Sequence, residues 1–309
     1  MRTAPERKSR DRVLGAWILL GAVLFAVLTV GLRAGPLAEP VPAPTPLPTA
    51  TPLPIATMPP SPTPAPTETA VLAPSPASGA AGRTVCIDPG HGGADRGNVR
   101  LDEDGQILLQ EKDFTLPHSL MLADRLRAAG IDVVMTRTTD AEVNPDNTDL
   151  NNDGTVAPAG GEARSNQLDD LQARINICNQ AGADILVSVH YNGAENAFLQ
   201  GYEVWYNGDR PFSENSALLA RLMHTELGNQ YAAAGYDAFD KGIGIEAHAL
   251  TGPARPGSLV PSEMPGIIVE GLFLSNDDDA AFVVTDAAAP ALVTAYEQAI
   301  LNYFAELTG

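Results

Sequence analysis

The sequence predicts an α/β fold: a single domain with a largely parallel sheet covered by helices on both faces. Three observations carry that reading. From residue 83 onward, short apolar runs alternate with helix-spaced segments, the pattern of strands joined by crossover helices. The runs themselves read as buried strands. The stretch 83–309, about 227 residues, suits one compact domain.

What precedes residue 83 does not read as core. Residues 1–12 form a basic, polar tail expected in the cytoplasm. Residues 13–32, "VLGAWILLGAVLFAVLTVGL", carry no charge and are long enough to cross a hydrocarbon layer as a helix. The Lys and Arg side chains before them predict a cytoplasmic N-terminus. A cleaved signal peptide is the rival, but its apolar core usually spans about 7–15 residues, so the segment reads as an uncleaved transmembrane anchor. Residues 33–82 form a Pro/Thr/Ala-rich stalk holding 15 of the 26 prolines. Such a chain builds neither ladder nor packed core; it is an extended polyproline spacer or plain disorder. The folded domain is then 83–309, outside the membrane, or secreted if the N-terminal segment is cleaved.

Within that domain each element has its own signal. "RTVCID" is a short apolar run ending in Pro-Gly, hence a strand. "FTLPHSLMLADRLRAAG" has helical spacing at Leu116, Leu120, Leu122 and Leu126 and closes at Gly130. Pro117 is tolerable there only in the first turn. "IDVVMTR" is a strand, followed by a polar insertion over 138–169. "LDDLQARINICNQAG" is a helix stopped by glycine, and "ADILVSVH" is the strand behind it. "GYEVWYN" alternates like a strand, and "SENSALLARLMHTELGNQ" is a helix with Ser213 as N-cap. "PGIIVEGLFLS" is a strand, and "APALVTAYEQAILNYFAEL" is the last helix.

Of 19 basic and 38 acidic residues, six and two lie in 1–35, which leaves 13 against 36 beyond. So acidic a surface argues against nucleic-acid or polyanion partners bound through bulk charge. Cys86 and Cys178 are the only cysteines; each sits in an apolar context and reads as a buried free thiol rather than half a disulfide.

In open α/β sheets ligands bind at the carboxyl ends of strands. Three strand ends carry unusual side chains: His91, His190 and Glu270. Glu111 lies just before a helix. Two His and a carboxylate are the protein ligands of a catalytic zinc, and a further carboxylate can serve the attacking water as general base. Singly, each has a plainer reading, as a turn residue or a helix-start acid favoured by the macrodipole.

The runs "IDPGHGGADRG", "EKDF", "ADILVSVHYN" and "PGIIVEGLFLSND" stand in this order, and together they resemble the signature segments of the zinc-dependent N-acetylmuramoyl-L-alanine amidases, the cell-wall hydrolases of the type-3 amidase family. The resemblance covers nearly all of 85–307. It implies one Zn2+ held by His91, Glu111 and His190, with Glu270 as the catalytic glutamate. It also implies peptidoglycan as substrate, cleaved between N-acetylmuramic acid and L-alanine. The glycines around His91 would let backbone and glycan approach the ion. "HYN" replaces the family's "HAN", so Tyr191 is expected to narrow the cleft or stack on substrate. Some members carry an autoinhibitory helix where this chain has only Gly208 to Pro211. The extra material lies instead in 140–169 and 232–263, loops long enough to line or cover the cleft. Two competitors keep the same fold: a catalytically silent wall-binding domain, and a zinc hydrolase acting on another amide.

Other residues are weighed against plainer roles. Asp149, Asn151, Asp153 and Gly154 have EF-hand spacing, but position twelve is Gly160 rather than Glu. A polar turn is favoured there over a Ca2+ loop. His118 and His224 read as packing or surface residues, and His248 as a loop residue that could face substrate. Arg174 and Asn179 lie on a helix expected to flank the site, either behind the ligands or facing solvent. Asn192 and Asn276 would contact substrate or close turns. The sequence names no protein activator.

Overall fold

The computed structural model describes residues 79–156, 168–248, 250–252 and 259–308. The tail, anchor and stalk expected in residues 1–78 lie outside these. Among the described residues no helix is long and apolar enough to cross a membrane.

The chain runs β1 (Thr84–Pro89), β2 (Val99–Leu101), β3 (Ile107–Gln110), α1 (Lys112–Ala128), β4 (Asp132–Met135), α2 (Leu168–Gln180) and β5 (Ile185–Asn192). It continues with β6 (Tyr202–Tyr206), α3 (Ser213–Ala233), β7 (Asp240–Ile245), β8 (Gly266–Phe273), α4 (Asp277–Val283) and α5 (Ala288–Glu306). Six strands form one sheet in the order β4-β1-β5-β8-β6-β7. β4, β1, β5 and β8 pair in parallel, as expected. β6 runs antiparallel to β8 and carries β7 parallel to itself. β2 and β3 form a separate two-stranded ribbon, not anticipated from sequence.

Alternation along the strands sorts the core into two layers. Val85, Ile87, Ile185, Val187 and Val189 join α1, α3 and α5 in the larger one. Cys86 and Leu186 face the other way, against Ile175 and Cys178 of α2 and against Leu250, Leu259 and Met264. One face is thus covered by three helices, the other by α2 together with Leu250, Leu259 and Met264.

The local signals hold with three corrections. α1 ends as expected: Gly130 has φ 82°, and the Ile131 N–H reaches back to the Leu126 carbonyl at 3.0 Å. Pro117 lies inside α1, beyond its first turn, so the Asp113 carbonyl one turn earlier loses its donor. α3 is preceded by Phe212 with no side-chain cap, and Ser213 is its first residue rather than its N-cap. Residues 207–212 join β6 to α3 without a further helix, as the short interval predicts.

The cysteines are the third correction. Cys86 and Cys178 form a disulfide, with Cα atoms 5.5 Å apart, tying β1 to α2. Apolar context is common to a buried thiol and a buried disulfide. What decides between them is that β1 and α2 meet in one layer, and neither local segment records that.

Candidate metal centre

β1 delivers Asp88, Pro89 and Gly90 to the carboxyl edge of the sheet, and the chain then turns sharply at His91, which has φ 61°. This left-handed conformation costs a non-glycine residue roughly 1 kcal/mol or more, so its surroundings must hold it. They do so through three successive carbonyls. The Arg137 guanidinium donates to Pro89 O (2.9 Å) and Gly90 O (2.8 Å), and Thr115 Oγ1 also donates to Gly90 O (2.8 Å). Arg174 donates to Pro89 O (2.9 Å) and His91 O (2.8 Å).

Arg174 is 1% exposed, and its charge is met by Asp88 and Asp170, each at 2.9 Å. Asp88 also accepts from Thr136 Oγ1 (2.5 Å) and Ser188 Oγ (2.7 Å). Burial alone would raise the Asp88 carboxyl, but the Arg174 charge and these hydroxyls outweigh it and hold Asp88 at about 2. The Arg174 reading behind the ligands is therefore the one realised. Asn179 instead ties down the 259–264 segment, donating to Pro261 O and accepting from Glu263 N.

The three predicted ligands converge: His91, Glu111 and His190 each offer an atom within 4.8 Å of the others. His91 Nε2 lies 2.9 Å from Glu111 Oε2, and His190 Nδ1 lies 3.0 Å from Glu111 Oε1. Glu111, fully buried, stands immediately before α1, and its carboxylate is aimed by donors at both oxygens. Asn98 N and Nδ2 donate to Oε2 at 2.9 and 3.0 Å, and Tyr191 N donates to Oε1 at 2.8 Å. Burial would raise this carboxyl, yet hydrogen bonds from His190 and His91 hold it far below its usual range.

His91 Nδ1 lies 2.7 Å from Asp95 Oδ2. Burial would lower His91, but the Asp95 and Glu111 carboxylates raise it to about 10. A ring nitrogen held by a carboxylate while the other faces a cluster of donors is the arrangement that orients a metal-ligating His. The set of two imidazoles and one buried carboxylate could hold a zinc ion, and its chemistry fits that metal. The glycines serve the ligands more directly than the sequence suggested. A Cβ on Gly90 would stand 2.3 Å from the His190 ring, and one on Gly97 would stand 2.5 Å from Glu111 Oε2. They leave the space that the donor side chains occupy.

Glu270, on β8, is the register partner of His190 on β5, so both reach the same strand edge. Its Oε2 is sealed from solvent and has no hydrogen-bond partner among the described residues. Burial raises its carboxyl to about 7, with the Glu111 and Glu203 charges adding to the effect and the two imidazoles opposing it.

Several residues do not meet this group. Tyr191, 2% exposed, points to the opposite face of β5, where its hydroxyl meets His118 Nδ1 at 2.9 Å and its ring packs near Phe114. It neither narrows the cleft nor awaits substrate. Burial pushes His118 down to about 4, so it is a neutral packing partner. Asn276 caps α4, accepting from Asp278 N and Asp279 N, while Asn192 donates to Glu203 Oε1 at 2.6 Å. His224 Nε2 pairs with Asp240 at 2.7 Å. In the 149–154 loop, Asp149, Asn151 and Asp153 accept from the loop's own N–H groups, as a polar turn requires. Arg137, which holds the Pro89 and Gly90 carbonyls, carries no sequence signal of that role, and His248, weighed above as a loop residue, lies beside Trp205.

Comparison with known proteins shows the family and the fold. The family model described as "N-acetylmuramoyl-L-alanine amidase", Amidase_3, matches residues 85–302. The germination-specific N-acetylmuramoyl-L-alanine amidase of Bacillus subtilis is 28% identical over 227 residues, 73% of this chain and 81% of that protein. AmiA of Escherichia coli is 24% identical over 254 residues, 72% and 76% of the two chains. Among solved structures, an N-acetylmuramoyl-L-alanine amidase from Clostridium difficile 630 superposes with TM-score 0.53 at 25% identity, covering 74% of this chain and all of that one. The CwlD amidase of Clostridioides difficile, solved with the GerS lipoprotein, has TM-score 0.56 at 21% identity, covering 72% and 99%.

Proposed function

Since the chain belongs to the Amidase_3 family of N-acetylmuramoyl-L-alanine amidases, and is an enzyme that cleaves the N-acetylmuramoyl–L-alanine amide of peptidoglycan, we propose that it works with one zinc ion. His91, Glu111 and His190 hold the metal, and Glu270 is the general base. The observation that carries this reading is the convergence of those three side chains beside a buried carboxylate oxygen that no described residue satisfies.

Bound zinc supplies a water with pKa near 7 and an electrophile for the scissile carbonyl. The rest is work for the chain's own residues. Glu270 Oε2, unpaired and poised near neutral, accepts the proton of the attacking water and passes it to the leaving amine of L-alanine. Glu111 is kept ionised and aimed, and Asp95 holds the His91 ring. Glu270→Gln should retain zinc and lose release of free stem peptide by about 10²–10⁴-fold, the usual worth of a general base. Full activity in that variant removes Glu270 from the mechanism. In His190→Ala, near-stoichiometric zinc by elemental analysis would remove its ligand role.

The setting is part of the proposal. The domain is tethered outside the cytoplasm by the anchor at 13–32 and the stalk at 33–82. The Cys86–Cys178 disulfide supports that side of the membrane, because such bonds persist in oxidising compartments.

A further inference from the structure

The flank of the site beyond Glu270 carries an assembly that the reaction just described does not use. On β6, Glu203 is the register partner of Glu270 and Trp205 that of Ile268. Tyr202 and Val204 of the same strand enter the helix-covered core, so Glu203 and Trp205 project to the face that bears Glu270 and His190. The next strand, β7, places Gly244 opposite Trp205, and a Cβ there would stand 2.1 Å from the indole. The indole therefore lies down across β7, over the one residue type that leaves it room.

Beyond β7 the chain turns back as a short strap, fixed by Glu246 N to Tyr206 O (3.0 Å) and Gly252 N to His248 O (3.0 Å). His248 sets its ring edge-on to Trp205, with centroids 5.5 Å apart. Two residues on, Leu250 lines a cavity of about 30 Å³ together with His91, His190 and Arg174. The strap thus runs from the indole to the ligand cluster. His248 Nε2 is buried and, among the described residues, has no hydrogen-bond partner. An orphaned buried nitrogen is costly unless something else satisfies it. Burial lowers its pKa, so the imidazole is neutral near pH 7.

We propose that Trp205 and His248 form the subsite for the N-acetylmuramoyl sugar, with His248 Nε2 hydrogen-bonding a hydroxyl or acetamido group while the indole packs against the pyranose. This rests on the amidase reading. Charge selects the sugar over the stem peptide. Glu246 and Glu203 act on the imidazole, and Glu270 lies opposite Glu203; Lys241, 3.7 Å from Glu203, offsets one of these charges, and the carboxylates that outnumber it disfavour the peptide's own. The amide-linked sugar is neutral, with apolar C–H faces and polar edges, and it asks for an aromatic surface and one polar contact.

The test uses the full-length zinc enzyme and two soluble substrates: a disaccharide N-acetylmuramoyl-peptide, and an N-lactoyl-L-alanyl peptide with no sugar. His248→Ala should lower the ratio of kcat/KM for the first over the second by about tenfold, the scale of one lost hydrogen bond, mainly through KM. His248→Gln should recover part of it. Equal losses on both substrates, or an unchanged ratio, overturn the proposal. Binding gives an independent arm. Trp17 and Trp205 are the only tryptophans, so indole fluorescence in Glu270→Gln should respond to the peptide-free disaccharide with its lactyl carboxyl capped as the neutral amide, and cease to in the double variant with His248→Ala. Wild-type enzyme that binds the disaccharide yet releases no peptide refutes the amidase reading alone; cleavage without the binding response refutes the subsite alone.

Discussion

Between β1 and α2, behind His91, every buried charge has an opposite charge or a row of carbonyls to meet: Arg174 with Asp88 and Asp170, Arg137 with Pro89 and Gly90. Between β8 and the strap that carries His248, the buried polar atoms Glu270 Oε2 and His248 Nε2 meet no partner among the described residues. The two flanks of one centre follow opposite rules because they have opposite tasks. Holding an ion requires donors that cannot move, and closed hydrogen-bond networks immobilise them. Acting on a substrate requires unsatisfied groups, and the fold tolerates their cost where substrate will meet it.

That contrast can be broken from the holding side, and Arg174→Met should have the largest effect. It leaves Asp88 and Asp170 buried without a cation, at a cost of about 3–5 kcal/mol, read as a lower urea midpoint. It also releases the His91 carbonyl, so chelator competition should show zinc affinity down about 10–100-fold. A normal zinc affinity would mean the clamp serves stability alone. The disulfide comes next. Cys86 lies two residues before Asp88, and Cys178 one turn beyond Arg174, so it braces the same β1–α2 junction. Cys86→Ala with Cys178→Ala should lower stability by about 2–5 kcal/mol, seen as a fall in Tm. The smallest effect is acid sensitivity. Asp88 is held at about 2 against 3.8 when unfolded, so its contribution is complete above pH 4 and is lost as pH falls through about 2. It amounts to about 2 kcal/mol. Asp88→Asn should remove that portion of the acid transition; an unchanged profile would place the pH dependence in other carboxylates.

The holding flank was partly legible before the structure. His91, Glu111, His190 and Glu270 were found from strand ends and the family resemblance, and the geometry brings the first three together. Asp170 and Arg174 stand four residues apart on α2, an opposite-charge pair on a helix that must be buried, with Cys178 next on the same stripe, which points to a paired network. Tyr191 was misread although period-two alternation opposes it to His190. The disulfide was not legible, because its partners are 92 residues apart and only tertiary contact joins them. The acting flank was the less legible one. β7 is glycine-rich and pairs with β6 by a parallel ladder between distant segments, and the role of His248 exists only because Gly244 admits the indole.

The strand order has a consequence of its own for when this molecule becomes able to work. β5 sits between β1 and β8, and the β1–β5 ladder joins residues 100 apart, Val85 with Ile185. Folds dominated by such distant pairings assemble slowly. Glu270 arrives on β8, the last strand in the chain, and takes the place between β5 and β6. A chain still emerging could gather His91, Glu111 and His190 but would lack Glu270, its proposed base, and the neighbour that seats it. With Glu270 as the base, hydrolysis is timed by topology: the blade is fitted last.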